Sequence, residues 1–308
     1  MKSILTKAMN KSAAAAAQRR SARPPAAVEL TSQGTVAAAG KPPIYGHAAL
    51  AADALKPGVA EANIAAADAV ASALREALDA VHPHKRAVSL VLPDLAVRVF
   101  VLDFDTLPAK QAEALSILRF RLRKMVPFDV EHASIGYQVL SSDRNECRVL
   151  VAVTPGAVLA EYEAAVRAAG YEPGAVLPAT LAALENVETE ETTLVANLSA
   201  EALTTAIVAG DDLLLYRTLE LPADETARAG EIQRGVAVTM AYFEDKTGAA
   251  PHRIYATGSL SAEAFAELLA LPDLEVTELV ERPLTGAATA LGTAGLAAAT
   301  GALKGARV

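Results

Sequence analysis

Hydrophobic and polar positions divide this chain into short strands and amphipathic helices that recur in the same order. Ala27–Ala39 (AVELTSQGTVAAA) reads as two short strands around a turn at Gln33-Gly34. After a stretch rich in Pro and Gly, Val70, Leu74, Ala77, Leu78 and Val81 share one face of a helix over Asp68–Val81, ended by His82-Pro83. Ala87–Leu92 and Val97–Phe104 are β-branched runs on either side of Pro93-Asp94, which predicts a strand pair. A helix over Lys110–Met125 is expected to bury Ala112, Leu115, Leu118, Leu122 and Met125, spaced three and four apart. Pro127 forbids its continuation. Ser134–Leu140 and Cys147–Val153 read as strands. Thr154-Pro155 predicts a helix start, with a hydroxyl at the N-cap and proline in the first turn, and Gly170 marks the end of that helix.

The second half repeats this outline. Thr193–Leu198, Ala202–Ala209 and Leu213–Leu219 form a meander with a turn at Gly210-Asp211. A long helix over Asp224–Lys246 turns Ile232, Val236, Met240 and Phe243 inward and stops at Gly248. A strand (Arg253–Thr257), a helix (Ala262–Ala270), a strand (Leu274–Leu279) and an Ala-rich closing helix complete it. A hairpin followed by a helix, twice over, predicts two related α/β lobes facing a cleft. Pro283–Leu303 carries no charge and is long enough to cross a bilayer. Its only large apolar groups are Leu284, Leu291, Leu296 and Leu303 among Ala, Gly and Thr, which favours a closely packed buried helix.

Charge adds a polarity to this picture. The net charge of −8 conceals a tail, residues 1–26, with six cations and no acid, so the remainder carries −14. An acidic body excludes nucleic acid as the main partner, because phosphate neutralisation needs a basic face. The tail has two readings, contact with anionic lipid or a disordered solubilising segment. The lack of a wide apolar stripe around Ala13–Ala17 favours the second. Ile4 and Leu5 are too little for the apolar core of a secretory signal. A single cysteine, Cys147, rules out an internal disulfide framework and fits a reducing compartment. Hydrophobic residues make up 52% of the chain, but Ala dominates them and Trp is absent, which suits helix packing better than aromatic ligand pockets.

Little catalytic chemistry is visible. The phosphate-loop, dinucleotide and nucleophile-elbow patterns are all missing. His82 and His84 flank a proline with no third ligand nearby, so no metal site is expected. Asp103 and Asp105 read as a solvent-facing strand edge. The helix ending at Met125 is more informative. Arg119, Arg121, Arg123 and Lys124 crowd its last turns, where cations complement the helix dipole. They also lie beside apolar Ile117, Phe120 and Phe128. The end of this helix is therefore either a solvated face or a docking surface for a short, partly apolar peptide, with Ile117, Phe120, Arg121, Lys124, Pro127 and Phe128 as candidate contacts.

Three stretches resemble a known family in order and spacing: VSLVLPDLAVRVFVLDFDTLP (Val88–Pro108), RFRLRKMVPFDVEHASIGYQVL (Arg119–Leu140) and LVAVTPGAVLAEYEAAVRAAGYEPGAVLPATLAAL (Leu150–Leu184). The resemblance is to PilM, the actin-like, FtsA-related component of type IV pilus assembly, and runs from about Val28 to the C-terminus. It implies an α/β actin-like fold of duplicated ribonuclease H-like lobes. The first lobe would take residues 27–85 and 154–190, a small inserted α+β subdomain 86–153, and the second lobe 191–308. It further implies a cytoplasmic scaffold, peripheral to the bacterial inner membrane, that binds the N-terminal cytoplasmic segment of PilN, a single-pass membrane protein, alongside other pilus assembly components. Self-association is left open.

Actin-like ATPases hold nucleotide with two hairpins that resemble D-I-G, where carboxylates organise Mg2+ and glycine lets backbone N–H groups close on phosphate. The matching text here is Glu29-Leu30-Thr31-Ser32 and Asn197-Leu198-Ser199-Ala200, and the adenosine-side turn is reduced to Thr257-Gly258-Ser259. One acid is lengthened, the other is lost, and both glycines are replaced. The expectation is a pseudo-ATPase with at most weak binding of ATP and Mg2+ and no catalytic residue. The residual contacts would be Glu29, Thr31, Ser32, Asn197, Ser199, Thr204 and Gly258. Ser32, Thr204 and Thr205 would either bond phosphate or satisfy hairpin backbone groups. Two alternatives remain, a working actin-like ATPase of pilus assembly and a GspL-like type II secretion platform.

Overall fold

A computed structural model describes residues 23–143, 146–210, 212–280 and 294–304. The first hairpin, β1 (Ala26–Thr31) and β2 (Gly34–Ala39), continues antiparallel into β3 (Ile44–Ala49). Helix α1 (Ala67–Ala80) buries Val70, Leu74, Ala77 and Leu78 and leads to β4 (Ala87–Leu92), which lies parallel to β1. A short 3-10 turn, Asp94–Ala96, then carries the chain out of this sheet into β5 (Arg98–Phe104), α2 (Gln111–Leu122), β6 (Ala133–Ser142) and β7 (Cys147–Pro155). Helix α3 (Gly156–Ala168) brings it back to β8 (Glu172–Pro178), parallel to β4, followed by α4 (Ala179–Leu184).

The second lobe is built the same way. It runs β9 (Thr192–Leu198), β10 (Ala202–Ala209), β11 (Asp212–Glu220), α5 (Glu225–Thr247), β12 (Arg253–Gly258), α6 (Ala262–Leu269) and β13 (Glu275–Glu278). The sheet orders are β3-β2-β1-β4-β8 and β11-β10-β9-β12-β13. In each, an antiparallel meander ends on the central strand, whose other side takes two parallel neighbours. The centre is where burial on both faces is required, and Ala26, Ala27, Val28 and Leu30 of β1 are indeed fully buried. Local chemistry sets the limits of α5. Asp224 caps it by accepting from the Ala227 N–H, and Gly248 leaves it at φ 77°.

The predicted elements are largely present, and the departures have physical causes. Ala87–Leu92 and Val97–Phe104 do not pair with each other. The first joins β1, and β5 joins the separate sheet β5-β7-β6. The expected subdomain boundary at 86 therefore falls one strand early, since the inserted sheet occupies 98–155. Helix α2 buries Ala114, Leu118 and Leu122, four apart, while Ala112 and Met125 are exposed. Thr154 is not an N-cap. Its hydroxyl donates to the Ala96 carbonyl at 2.7 Å and Pro155 occupies the cap. The expected tail ends sooner than residue 26, for Arg23 pairs with Glu185 at 3.4 Å and β1 starts at Ala26. Residues 1–22 lie outside the described residues, as does most of Pro283–Leu303.

The described part of that run, helix α7 (Ala297–Lys304), crosses back from the second lobe's sequence onto the first lobe's sheet, so the first lobe is not closed by residues 27–190 alone. Its Ala297, Ala298, Ala299 and Ala302 pack with Ala27, Ala38, Val91, Ala179 and Ala182. Small residues make this approach possible: a Cβ on Gly301 would lie 1.8 Å from the Ala182 carbonyl oxygen. Asn186 anchors the helix by donating to the Ala297 carbonyl at 2.7 Å. Among the described residues no helix is long and apolar enough to cross a membrane.

Candidate functional site

Two concavities stand out. The first is the interlobe cleft, a cavity of about 260 Å³ where the hairpin turns of the two lobes face each other. Register places Glu29, Val36 and His47 in one row across β1, β2 and β3, and all three line it. Thr31, Ser32, Asn197, Ser199, Glu201, Thr257 and Gly258 complete most of the polar wall. Six of the seven residual nucleotide contacts read from the sequence are thus brought together. Thr204 is the exception. It is buried in β10, its hydroxyl hydrogen-bonded to that of Thr218 at 3.0 Å, and it does not reach the cleft. Thr205 likewise pairs with Thr239 at 2.8 Å.

The hydroxyls that replace glycine close their own hairpins. Thr31 Oγ1 accepts from the Gln33 and Gly34 N–H groups at 3.3 and 3.1 Å and donates to the Gly34 carbonyl. In the second lobe, Ser199 Oγ accepts from the Glu201 and Ala202 N–H groups at 3.3 and 3.0 Å. The same turn chemistry occurs at equivalent places, and it occupies N–H donors that an anion would otherwise need. Gly258 serves the backbone as well. At φ 107°, a Cβ there would meet the Leu198 carbonyl oxygen at 2.0 Å, and Ser259 N–H donates to that same oxygen.

The centre of this cleft wall is a residue that sequence reasoning treated only as turn punctuation. Asp94 Oδ1 accepts from the Thr180 N–H at 3.1 Å and from the Tyr216 hydroxyl at 2.9 Å. Its Oδ2 accepts from Thr180 Oγ1 at 2.5 Å and from Asn197 Nδ2 at 3.1 Å. Asn197 Nδ2 also bonds Thr180 Oγ1 at 2.8 Å. One carboxylate thereby ties the 3-10 turn and α4 of the first lobe to β9 and β11 of the second. Asn197, aligned from the sequence with the second hairpin's acid, donates through Nδ2 to Asp94. Burial, and then the charge of Asp94, push the Glu29 carboxyl up to about 8. The same two causes raise the Tyr216 phenol well above its ordinary range, and its hydrogen bond to Asp94 adds to them.

The second concavity, about 420 Å³, is a groove between the inserted sheet and the first lobe. Its walls are Leu92, Val97, Leu159, Val176 and Leu177 on the lobe side and Ala133, Ser134, Ile135, Gly136 and Ala152 on the other, with Arg119 at the rim. Both β6 and β8 are edge strands of their sheets, so two sheet edges meet this groove. Arg119 donates to the carbonyls of Val130, Glu131 and Ala133, which fixes the segment entering β6. Of helix α2, only Arg119 lines the groove. Ile117, Phe120, Arg121 and Lys124 point to solvent, Pro127 is exposed, and Phe128 packs half-buried on the inserted subdomain's own core of Leu118, Leu122 and Val149.

Comparison with known proteins bears on the fold. No protein-family model and no curated protein sequence matches the chain. Among solved structures, the chain is similar to a protein of the PilM–PilN type IV pilus biogenesis complex, with a TM-score of 0.72 at 20% identity over 92% of this chain and 98% of that one. It is also similar to the cytoplasmic domain of EpsL, an inner-membrane component of the type II secretion system of Vibrio cholerae (TM-score 0.50, 15% identity, 86% and 91% covered). A Bacteroides thetaiotaomicron protein with an actin-like ATPase fold and unknown function gives a TM-score of 0.50 at 9% identity over 82% and 89%. The fold is actin-like, as the duplicated sheets and the inserted three-stranded sheet require.

Proposed function

We propose that this chain is a scaffold of type IV pilus assembly, lying against the bacterial inner membrane and holding the cytoplasmic segment of a PilN-like single-pass protein, with no ATP turnover. The groove between β6 and β8 carries the docking half of this reading. Its walls are apolar, its rim is cationic, and its two sheet edges suit an extended peptide that adds main-chain hydrogen bonds to one of them. The likeness to a protein of the PilM–PilN complex supports the same partner.

The cleft supports the second half. Mg2+ binds through carboxylates beside substrate phosphates. Here Glu29 keeps its proton near neutrality, Asn197 is committed to Asp94, and the hairpin N–H groups are occupied by Thr31 and Ser199. The test is calorimetric titration of the full chain with the N-terminal peptide of the PilN-like protein, with and without Mg-ATP, alongside a phosphate-release assay. Peptide binding that is indifferent to Mg-ATP, with no phosphate released, is expected. Tight nucleotide binding with turnover would establish a working ATPase instead. The similarity to EpsL keeps a secretion-platform reading in play, and a titration with the cytoplasmic partner segment of a type II secretion system separates the two.

A further inference from the structure

The outer face of α2 belongs to neither concavity. Ile117, Phe120 and Arg121 are exposed on α2 beside the buried Ala114, Leu118 and Leu122, and the exposed Lys124 and Met125 follow just past its end at Leu122. Phe120 is 72% exposed, Ile117 37% and Met125 38%, so three of the six exposed large hydrophobics among the described residues lie at one helix end. The cations there are not all neutralised. Arg123 pairs with Glu131 and Lys110 with Glu113, whereas Arg121 and Lys124 have no acidic partner among the described residues.

None of Ile117, Phe120, Arg121 or Lys124 lines the interlobe cleft or the groove. Exposed Phe120 and Ile117 beside two cations without an acidic partner among the described residues suit a planar surface that is anionic outside and apolar beneath. Arg119, one position from Phe120, lines the groove proposed above for a membrane protein's segment, so a peptide tethered in a bilayer would bring this face close to headgroups. That last point rests on the docking reading; the exposure, spacing and charge do not.

We propose that the exposed Ile117–Met125 surface at the C-terminal end of α2 is a lipid contact, resting on a bilayer rich in anionic phospholipid. Phe120 and Ile117 enter the boundary between headgroups and acyl chains, and Arg121 and Lys124 sit on lipid phosphates. The basic segment before residue 23 is an auxiliary at most.

Co-sedimentation of the full chain with vesicles tests this. One set contains phosphatidylglycerol and phosphatidylcholine, the other phosphatidylcholine alone. Binding to the anionic set only, weakened by salt, is expected. The double variant Arg121→Glu/Lys124→Glu should lower partitioning at least about tenfold, since each cation near an anionic surface contributes about fivefold. Phe120→Ser should lower it about fivefold. A full-length variant with Lys2, Lys7, Lys11, Arg19 and Arg20 changed to Gln should keep most of the binding. All altered side chains are exposed or precede the described residues, and unchanged melting temperatures confirm folding. The proposal is overturned if the wild type ignores anionic vesicles, if the α2 variants partition like it, or if the Lys/Arg→Gln variant alone abolishes binding. Calorimetry with the PilN-like peptide separates this outcome from the docking reading: the α2 variants should bind peptide normally. Loss of peptide rather than lipid binding would make this face a protein-docking surface and defeat the lipid assignment.

Discussion

The interlobe cleft and the groove beside it are both concave, yet they differ in what their polar groups are doing. In the cleft, Thr31, Ser199, Asn197, Thr180 and Tyr216 are hydrogen-bonded to one another, to Asp94 or to the hairpin backbone. In the groove, the walls are largely apolar and two sheet edges lie open to it. A cavity wall tied together by its own hydrogen bonds acts as a joint, whereas open sheet edges leave main-chain groups for the proposed peptide. In this cleft Asp94 fixes one lobe on the other.

The largest expected effect tests the joint. Asp94→Ala orphans donors from Thr180, Asn197 and Tyr216 in a buried setting and should cost about 3–5 kcal/mol of stability, read as a lowered melting temperature. Peptide affinity measured well below the transition should persist; parallel loss of both would show that cleft and groove act as one unit. Next, Gly136→Trp challenges the proposed docking groove. A Cβ at Gly136 meets no heavy atom within 4 Å, so the indole projects from β6 without displacing backbone. Peptide affinity should fall about a hundredfold, on the order of 2.8 kcal/mol, with little change in melting temperature.

The smallest effect concerns Glu29. Its folded-state value of about 8 lies above the ordinary 4.5, so the neutral form favours the native state. That contribution is complete below about pH 4.5 and drains away as pH rises towards 8. Glu29→Gln should therefore match the wild type near pH 4.5 and exceed it at pH 8, by about 2 kcal/mol after allowing for partial solvent contact. Denaturant melts at the two pH values check this, and equal stability at both would remove Glu29 from the cleft's energetics.

Much of the fold was legible because its signals are local. The first hairpin and the stop at Gly248 each depend on neighbours within a few residues; the stop is where the pattern placed it, and the turn falls at Ser32-Gln33, one residue ahead of the expected Gln33-Gly34. The partner of β4 was not legible, because parallel pairing with β1 carries no turn signature and the intervening chain is a whole crossover. The inner face of α2 was misread because Ala112, Leu115 and Met125 match the spacing as well as Ala114 does; only the sheet beneath decides between them. In the cleft, the replaced acids and glycines were visible as text. Asp94 was not, since its partners lie 86, 103 and 122 residues away and nothing around Pro93-Asp94 announces them. The groove was missed for a similar reason: it is made of two sheet edges that sequence order keeps apart.

Helix α7 has a consequence for synthesis. The face of the first sheet formed by Ala27, Ala38 and Val91 is covered by residues from the far end of the chain, and the bond from Asn186 to Ala297 spans 111 residues. On the ribosome, the N-terminal half emerges with that apolar face covered in part, by α4, while the second lobe is translated. The cover of that face is therefore completed only once residues 297–304 have been made.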